Sequence, residues 1–243
     1  MAKRNNIIVT GDSGGLGNKI VENILSCGIY GVIGISRTNN EAVQKLQNKY
    51  KSYIHINFDL NNPELIKELY KYEIKKYGLV YGLVNNSAFA YDDIVTNAKL
   101  SEIERMYRVN VYSPIMLTKY AVRDMILNKT NGSIVFISSV SAHTGYKGLS
   151  MYASTKGALE VFSNNVAREW GKYGIRSNCV SPGFMETKIS SSLTDVQKNK
   201  IYSRTSLKKE INIESVAKTV YFLLSDDSRS ITGTTICVDN GTI

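Results

Sequence analysis

The sequence predicts a three-layer, doubly wound α/β fold, in which a parallel sheet of about seven strands is covered by helices on both faces. Three observations lead there. Short β-branched runs alternate with longer segments of 3.6-residue apolar period along the whole chain. The strand runs are almost continuously apolar, as they are when both faces of a sheet are buried. No linker, low-complexity tract or internal repeat interrupts the 243 residues, which at 43% hydrophobic suffice for one large core. Residues 1–243 are therefore expected to form a single domain.

Taken in order, "NNIIVTG" (5–11) is a strand that ends in glycine, and "GNKIVENILSCG" (17–28) carries the first helical period. "GVIGIS" (31–36) and "YIHINF" (53–58) are strands flanking a helix at "NEAVQKLQNKY" (40–50). "PELIKELYKYEIKKYG" (63–78) is helical and leads into the strand "LVYGLVNN" (79–86). The long helical pattern at 100–127 precedes the strand "GSIVFISS" (132–139), and that at 151–174 precedes "IRSNCVSPG" (175–183). "IESVAKTVYFLLSD" (213–226) and "TTICVDNG" (234–241) supply the last helix and strand.

Composition removes several classes. No run of about 18 apolar residues exists, so no membrane-spanning helix is expected. "MAKRNNIIVTG" lacks the longer apolar region and cleavage site of a signal peptide, and a cytoplasmic location is expected. Cys27, Cys179 and Cys237 are scattered and odd in number, and read as buried thiols of a reducing compartment. The net charge of +9 raises the question of nucleic acid, but the 30 Lys and Arg form no long block and no recognised motif. A diffusely basic surface suits anionic cofactors and acidic partners equally well. His55 and His143 are far apart, without acidic neighbours at ligand spacing, so no metal site is expected.

Ligands of such sheets bind at the carboxyl ends of the strands, near the point where strand order reverses. The first strand ends in "GDSGGLG", where Gly11, Gly14, Gly15 and Gly17 open a helix. Glycines there permit a tight turn and let backbone N–H groups approach a pyrophosphate, although any strand-to-helix turn can use them. At the second strand end an acid would serve the ribose hydroxyls of NAD(H); Ser36, Arg37 and Thr38 stand there instead. A guanidinium beside hydroxyls can hold a 2′-phosphate that a carboxylate would repel. NADP(H) is the expected cofactor, NAD(H) the second choice, and a merely solvated Arg37 the alternative. Farther on, "SMYASTKGALE" (150–160) places Tyr152 and Lys156 one turn apart on one helix face. In a chain with 16 Tyr that pair alone decides nothing.

Together these residues resemble the short-chain dehydrogenase/reductase family, in its compact form, over the whole chain. "TGDSGGLG" resembles the family's TGxxxGxG cofactor loop, with Gly11, Ser13, Gly15, Leu16 and Gly17 as the implied contacts. "FDL", with Asp59 and Leu60, resembles the segment that meets the adenine ring. "NNSA", with Asn86, Ser87 and Ala88, resembles the NNAG that ends the fourth strand. "NVYSP", from Asn110, resembles the segment bearing the family's helix asparagine, and Ser139, Tyr152 and Lys156 match its Ser…Tyr-x-x-x-Lys set. "SPGFMET", with Pro182, Gly183, Phe184 and Thr187, resembles the PGxxxT loop over the nicotinamide.

The resemblance implies a Rossmann fold and an NAD(P)(H)-dependent oxidoreductase. Tyr152 would donate a proton to the substrate oxygen, Ser139 would hydrogen-bond that oxygen, and Lys156 would lower the tyrosine pKa while holding the nicotinamide ribose. Asn110 would anchor a water chain to Lys156. A tyrosine ordinarily titrates at about 10, so bringing it to roughly 7 needs about 4 kcal/mol of differential stabilisation, from Lys156 together with the positive charge of oxidised nicotinamide. Plainer readings stay beside these. Ser138, Ser141 and Ser150 rival Ser139, Asn110 fits an interior polar residue, and Asp59 and Thr187 fit caps. The loop residue His143 is left out of the site.

Some positions depart from the family pattern. Gly14 stands where many NADP-using relatives carry a base, and Asp12 adds an acid to the same loop; both count against NADP(H). Ser87 and Ala88 replace alanine and glycine, and "VDNGT" replaces "VDGG". Substrate loops would follow the fourth, fifth and sixth strands, at residues 89–96, 141–150 and 184–206. Overall length and "SPGFMET" look closest to the 3-oxoacyl-(acyl-carrier-protein) reductases, with Lys129 and Lys172 beside the positions where that group docks its carrier. A sugar or polyol substrate is the alternative, and a non-enzymatic NADPH-binding regulator a distant one. The resemblance also implies a homotetramer or homodimer, with no nucleic-acid or membrane partner.

Overall fold

The computed structural model describes residues 5–186 and 194–243. Its strands are β1 (Asn5–Thr10), β2 (Gly31–Ser36), β3 (Tyr53–Asn57), β4 (Leu79–Asn85), β5 (Ser133–Ile137), β6 (Arg176–Pro182) and β7 (Thr235–Val238). They pair in parallel in one sheet, in the order β3-β2-β1-β4-β5-β6-β7. All seven expected strands are present. The order reverses between β1 and β4, which places the binding crevice at their carboxyl ends.

The helices are α1 (Gly15–Ser26), α2 (Glu41–Lys49), α3 (Ile66–Glu68), α4 (Leu100–Tyr107), α5 (Ser113–Asn128), α6 (Ser150–Trp170), α7 (Asp195–Tyr202) and α8 (Ile213–Leu224). Alternation along β1 assigns the two faces. Ile7 and Val9 pack with Ile20 of α1, Val43 of α2 and Val220 of α8, whereas Ile8 packs with Leu117 of α5 and Leu159 of α6. With both faces covered, every residue of β2 is buried, which explains its unbroken apolar run. No helix among the described residues is long and apolar enough to cross a membrane.

Three local outcomes differ from the sequence expectation. The helical pattern at 100–127 is split by a π turn, Arg108–Tyr112, and α3 runs on as a second π turn, Leu69–Ile74. Extra residues of this kind do not disturb an apolar period enough to show in sequence, and they often occur at functional sites. Within the segment expected to be a substrate loop lies α7, opened by a capping box in which the Thr194 and Gln197 side chains each accept from the other's backbone N–H. None of its residues is buried, so it carries no apolar period by which to be read. Finally, Cys179 is buried as expected, but Cys27, just past α1, and Cys237, on the edge strand β7, are exposed.

Candidate active site

The carboxyl ends of β1, β2, β4, β5 and β6 open into a cavity of about 730 Å³. Gly11 turns the chain after β1 with φ at 71°, and a Cβ on it would meet the Asn86 amide at 2.9 Å. A Cβ on Gly17 would fall 2.0 Å from the carbonyl oxygen of Gly11, so only glycine lets α1 start this close to the loop. Gly15 has nothing within 4 Å of its missing Cβ and borders the cavity. Gly14 caps α1 without a side chain, and its first turn holds no acid. The first N–H groups of α1 therefore face the cavity with the positive end of the helix behind them, a fit for a diphosphate.

Asp12 departs from the expectation that it would repel a phosphate. Its carboxylate is fully buried and turned beneath the sheet, where it accepts hydrogen bonds from Tyr53 OH and His55 Nδ1, each at 2.6 Å. On the cavity side, Thr38 Oγ1 donates to Ser13 Oγ at 3.1 Å, and Ser36 Oγ to the Thr38 carbonyl at 3.3 Å. Arg37 is exposed and has no carboxylate partner among the described residues. Asp59 borders the cavity and also accepts from Asn61 N–H at 2.9 Å, so it caps a turn as well. Asn86 ties the end of β4 to the loop by donating to the Thr10 carbonyl at 2.8 Å.

The candidate catalytic residues come from α6, the segment just past β5 and the π turn. Lys156 is 1% exposed and donates from Nζ to the Ile137 carbonyl at 2.7 Å. Nζ lies 5.5 Å from the centre of the Tyr152 ring. Burial pushes the lysine down to about 8, against the weaker pull of Cys179 and Glu160. In the absence of cofactor, burial raises the Tyr152 phenol, and the charge of Asp92 adds to the effect. In the protein alone, the lysine does not overcome desolvation of the tyrosinate.

Ser139 is half-buried, and its Oγ accepts from Ser141 N–H at 3.2 Å and from Ser141 Oγ–H at 3.0 Å, leaving its own proton to donate. Ser138 instead gives its hydroxyl proton to Glu160, which also bonds His143 Nε2 at 3.0 Å. Asn110 is fully buried, and its side chain clamps the loop after β4. Oδ1 accepts from Phe89 N–H at 2.8 Å, while Nδ2 donates to the Phe89 carbonyl at 2.8 Å and to Thr155 Oγ1 at 3.1 Å. The side-chain amide thus holds the loop and α6 together.

With these exceptions the sequence motifs meet at one place. Gly11, Ser13, Gly15, Leu16, Gly17, Ser36, Arg37, Thr38, Asp59, Leu60, Asn86, Ser87, Ala88, Ser139, Tyr152, Lys156, Pro182, Gly183 and Phe184 all border the cavity. Thr187 lies outside the described residues.

The model of a family described as enoyl-(acyl carrier protein) reductase matches residues 11–242. A 3-oxoacyl-(acyl-carrier-protein) reductase of Buchnera aphidicola is 33% identical over 96% of this chain and 95% of its own. The chain belongs to the short-chain dehydrogenase/reductase family. Its relatives also include an L-rhamnose 1-dehydrogenase (NADP+) of Thermoplasma acidophilum, 31% identical over 98% of this chain and 96% of its own. The solved structure of ElxO with NADP bound superposes with a TM-score of 0.89 at 28% identity, covering 98% of each chain.

As a short-chain dehydrogenase/reductase, the chain is an NAD(P)-dependent oxidoreductase. Several residues of its cavity were not singled out from sequence. Asp92, Tyr146, Lys147, Arg204 and Tyr202 come from the loops expected to meet substrate, but nothing local distinguished them there. Arg105 reaches the wall from α4 by stacking its guanidinium 4.1 Å over the Phe89 ring. Lys209 and Ile211 arrive from a segment with no motif at all, and Thr242 from "VDNGT", which had been given no contact, so only the fold reveals them.

Proposed function

We propose that this oxidoreductase uses NADPH to reduce a carbonyl to an alcohol, and that its substrate is a 3-oxoacyl thioester carried by an acidic carrier protein. The observation behind the reading is Ser139: its oxygen accepts two hydrogen bonds, which leaves its proton to donate to a third partner, and it borders the same cavity as Tyr152 and Lys156. Bound NADPH would supply the hydride. Ser139 donates a hydrogen bond to the substrate oxygen and polarises the carbonyl. Tyr152 gives its proton to the same oxygen, and the ammonium of Lys156 stabilises the resulting tyrosinate. The raised phenol suits this direction, because it holds its proton at neutral pH until charge develops on the substrate. Asn110 keeps the Phe89 loop in place beside this set.

The choice of NADPH rests on Arg37, free of a carboxylate, and on Asp12 being turned away from the cavity. The NADP named for the Thermoplasma relative and for ElxO agrees with it, and a tyrosine-to-phenylalanine variant of ElxO, 27% identical to this chain, holds NADPH. Arg37→Ala is expected to weaken NADPH binding by roughly tenfold to a hundredfold, the range of one charge-assisted contact, with NADH changed by less than about threefold. Equal losses for both cofactors in calorimetric titration would remove the 2′-phosphate role.

The thioester reading draws on the acyl-carrier-protein reductase relatives and on the basic surface. Lys129 and Lys172 do not border this cavity: they precede β5 and β6, at the amino-terminal edge of the sheet. The rhamnose dehydrogenase relative supports a sugar as second substrate. An acetoacetyl thioester with NADPH, assayed beside L-rhamnose with NADP+, separates the two by the change in reduced cofactor. Rhamnose turnover without thioester turnover would replace the first reading by the second. We further propose a homo-oligomer, since Leu127 on α5 and Val161 on α6, the two longest helices, are 75% and 65% exposed.

A further inference from the structure

Asp12 lies in the phosphate loop between Gly11 and Ser13, both of which border the cavity, yet its carboxylate is 0% exposed. Its Oδ2 accepts from Tyr53 OH and His55 Nδ1, and its Oδ1 has no hydrogen-bond partner. Space for it is made by β2: Gly34 stands in register with His55, and a Cβ there would fall 1.9 Å from Asp12 Oδ2. The His55 side chain is 2% exposed, and its Nε2 lies 2.8 Å from Asn57 Oδ1. With an acceptor oxygen at each ring nitrogen, only the imidazolium donates to both.

We propose that His55 is a charge-neutralising positioning residue for the phosphate loop: its protonation cancels the Asp12 charge beneath the dinucleotide and makes NADP(H) affinity pH-dependent. The inference rests on the cofactor reading given above. The other groups around His55 do not replace it in this role. A groove beside β3 that is bordered by His55, Ile56 and Asn57 also carries Glu68, Tyr72, Glu73 and Tyr77, with Glu73 paired to Lys76, but the groups that act on the imidazole itself are Asp12 and Asn57. From β2 comes only Gly34, and from β3 Tyr53, whose phenol burial raises. Burial works to lower His55, but the hydrogen bond and charge of Asp12 outweigh it and raise the histidine above its ordinary value. As pH rises through that raised value, the pair passes from neutral to negative and repels an anionic dinucleotide. Binding of the dinucleotide must in turn hold the proton on His55 more tightly.

The test is the NADPH dissociation constant, measured by cofactor fluorescence between pH 6 and 8.5, in the wild type, Asp12→Asn, His55→Gln and the double variant. The wild type is expected to lose affinity by roughly fivefold or more across the window, on the scale of one partly screened charge. Asp12→Asn should bind more tightly at high pH with a shallower slope. His55→Gln should bind weakly throughout, and adding Asp12→Asn should restore it. Titration of Lys156 and of the 2′-phosphate is common to all four proteins and cancels in the comparison. Asp12→Asn with the wild-type slope would overturn the inference, and does so even if His55→Gln fails to fold. No NADPH binding by the wild type at any pH would overturn the cofactor reading and this inference with it.

Discussion

Tyr152→Phe is expected to lower NADPH-dependent turnover by about 10²–10⁴-fold, the range of a positioned general acid, while NADPH affinity stays within about threefold. The ring remains over Lys156, whose Nζ lies 5.5 Å from its centre, and the lysine keeps its bond to the Ile137 carbonyl. Only the phenolic hydroxyl is removed, and with it the acid proposed to meet the substrate oxygen. Steady-state rates, cofactor titration and the melting temperature of the variant separate chemistry from folding. Turnover within about tenfold of the wild type in a folded variant would show that another group delivers the proton.

Lys156→Met is expected to abolish turnover to a similar extent and, unusually for a buried substitution, to stabilise the cofactor-free protein at neutral pH. The ammonium is 1% exposed and titrates near about 8 rather than 10.5, so holding it charged at pH 7 costs the native state about 3 kcal/mol. Loss of the bond to the Ile137 carbonyl returns about 1 kcal/mol of that. Between pH 8 and 10.5 the unfolded chain binds more protons at this lysine than the native one. Its contribution to wild-type stability therefore rises with pH through that window, and the variant lacks the rise. Urea unfolding of both proteins at pH 7 and pH 9.5 reads the effect. Parallel pH dependences would mean that the ammonium is not desolvated as the structure has it. Reduction should also weaken above about pH 8, where Lys156 loses the charge that stabilises the tyrosinate.

Much of this molecule was legible in the chain itself. The seven strands and their parallel direction follow from apolar runs and 3.6-residue periods, which are properties of neighbouring residues. The glycine loop, Ser36-Arg37-Thr38 and Tyr152 with Lys156 were readable for the same reason, since each works as a short segment with its own geometry. Less legible are the residues whose partners are remote in sequence. Asp12 counted against NADP(H) until its carboxylate was found bound to Tyr53 and His55, which are 41 and 43 positions away. Asn110 bonds Phe89 and Thr155, 21 and 45 positions away. Ser138 and Ser139 both border the cavity, and it is Glu160 on α6 that takes up the Ser138 hydroxyl proton. The upward push on the Tyr152 phenol in the cofactor-free protein was not readable either, because desolvation is a sum over everything packed around a group. Local pattern thus determined which elements form and which motifs lie at the strand ends. Where each polar side chain points, and how its charge is held, was decided only when the packed sheet brought distant partners within hydrogen-bond reach.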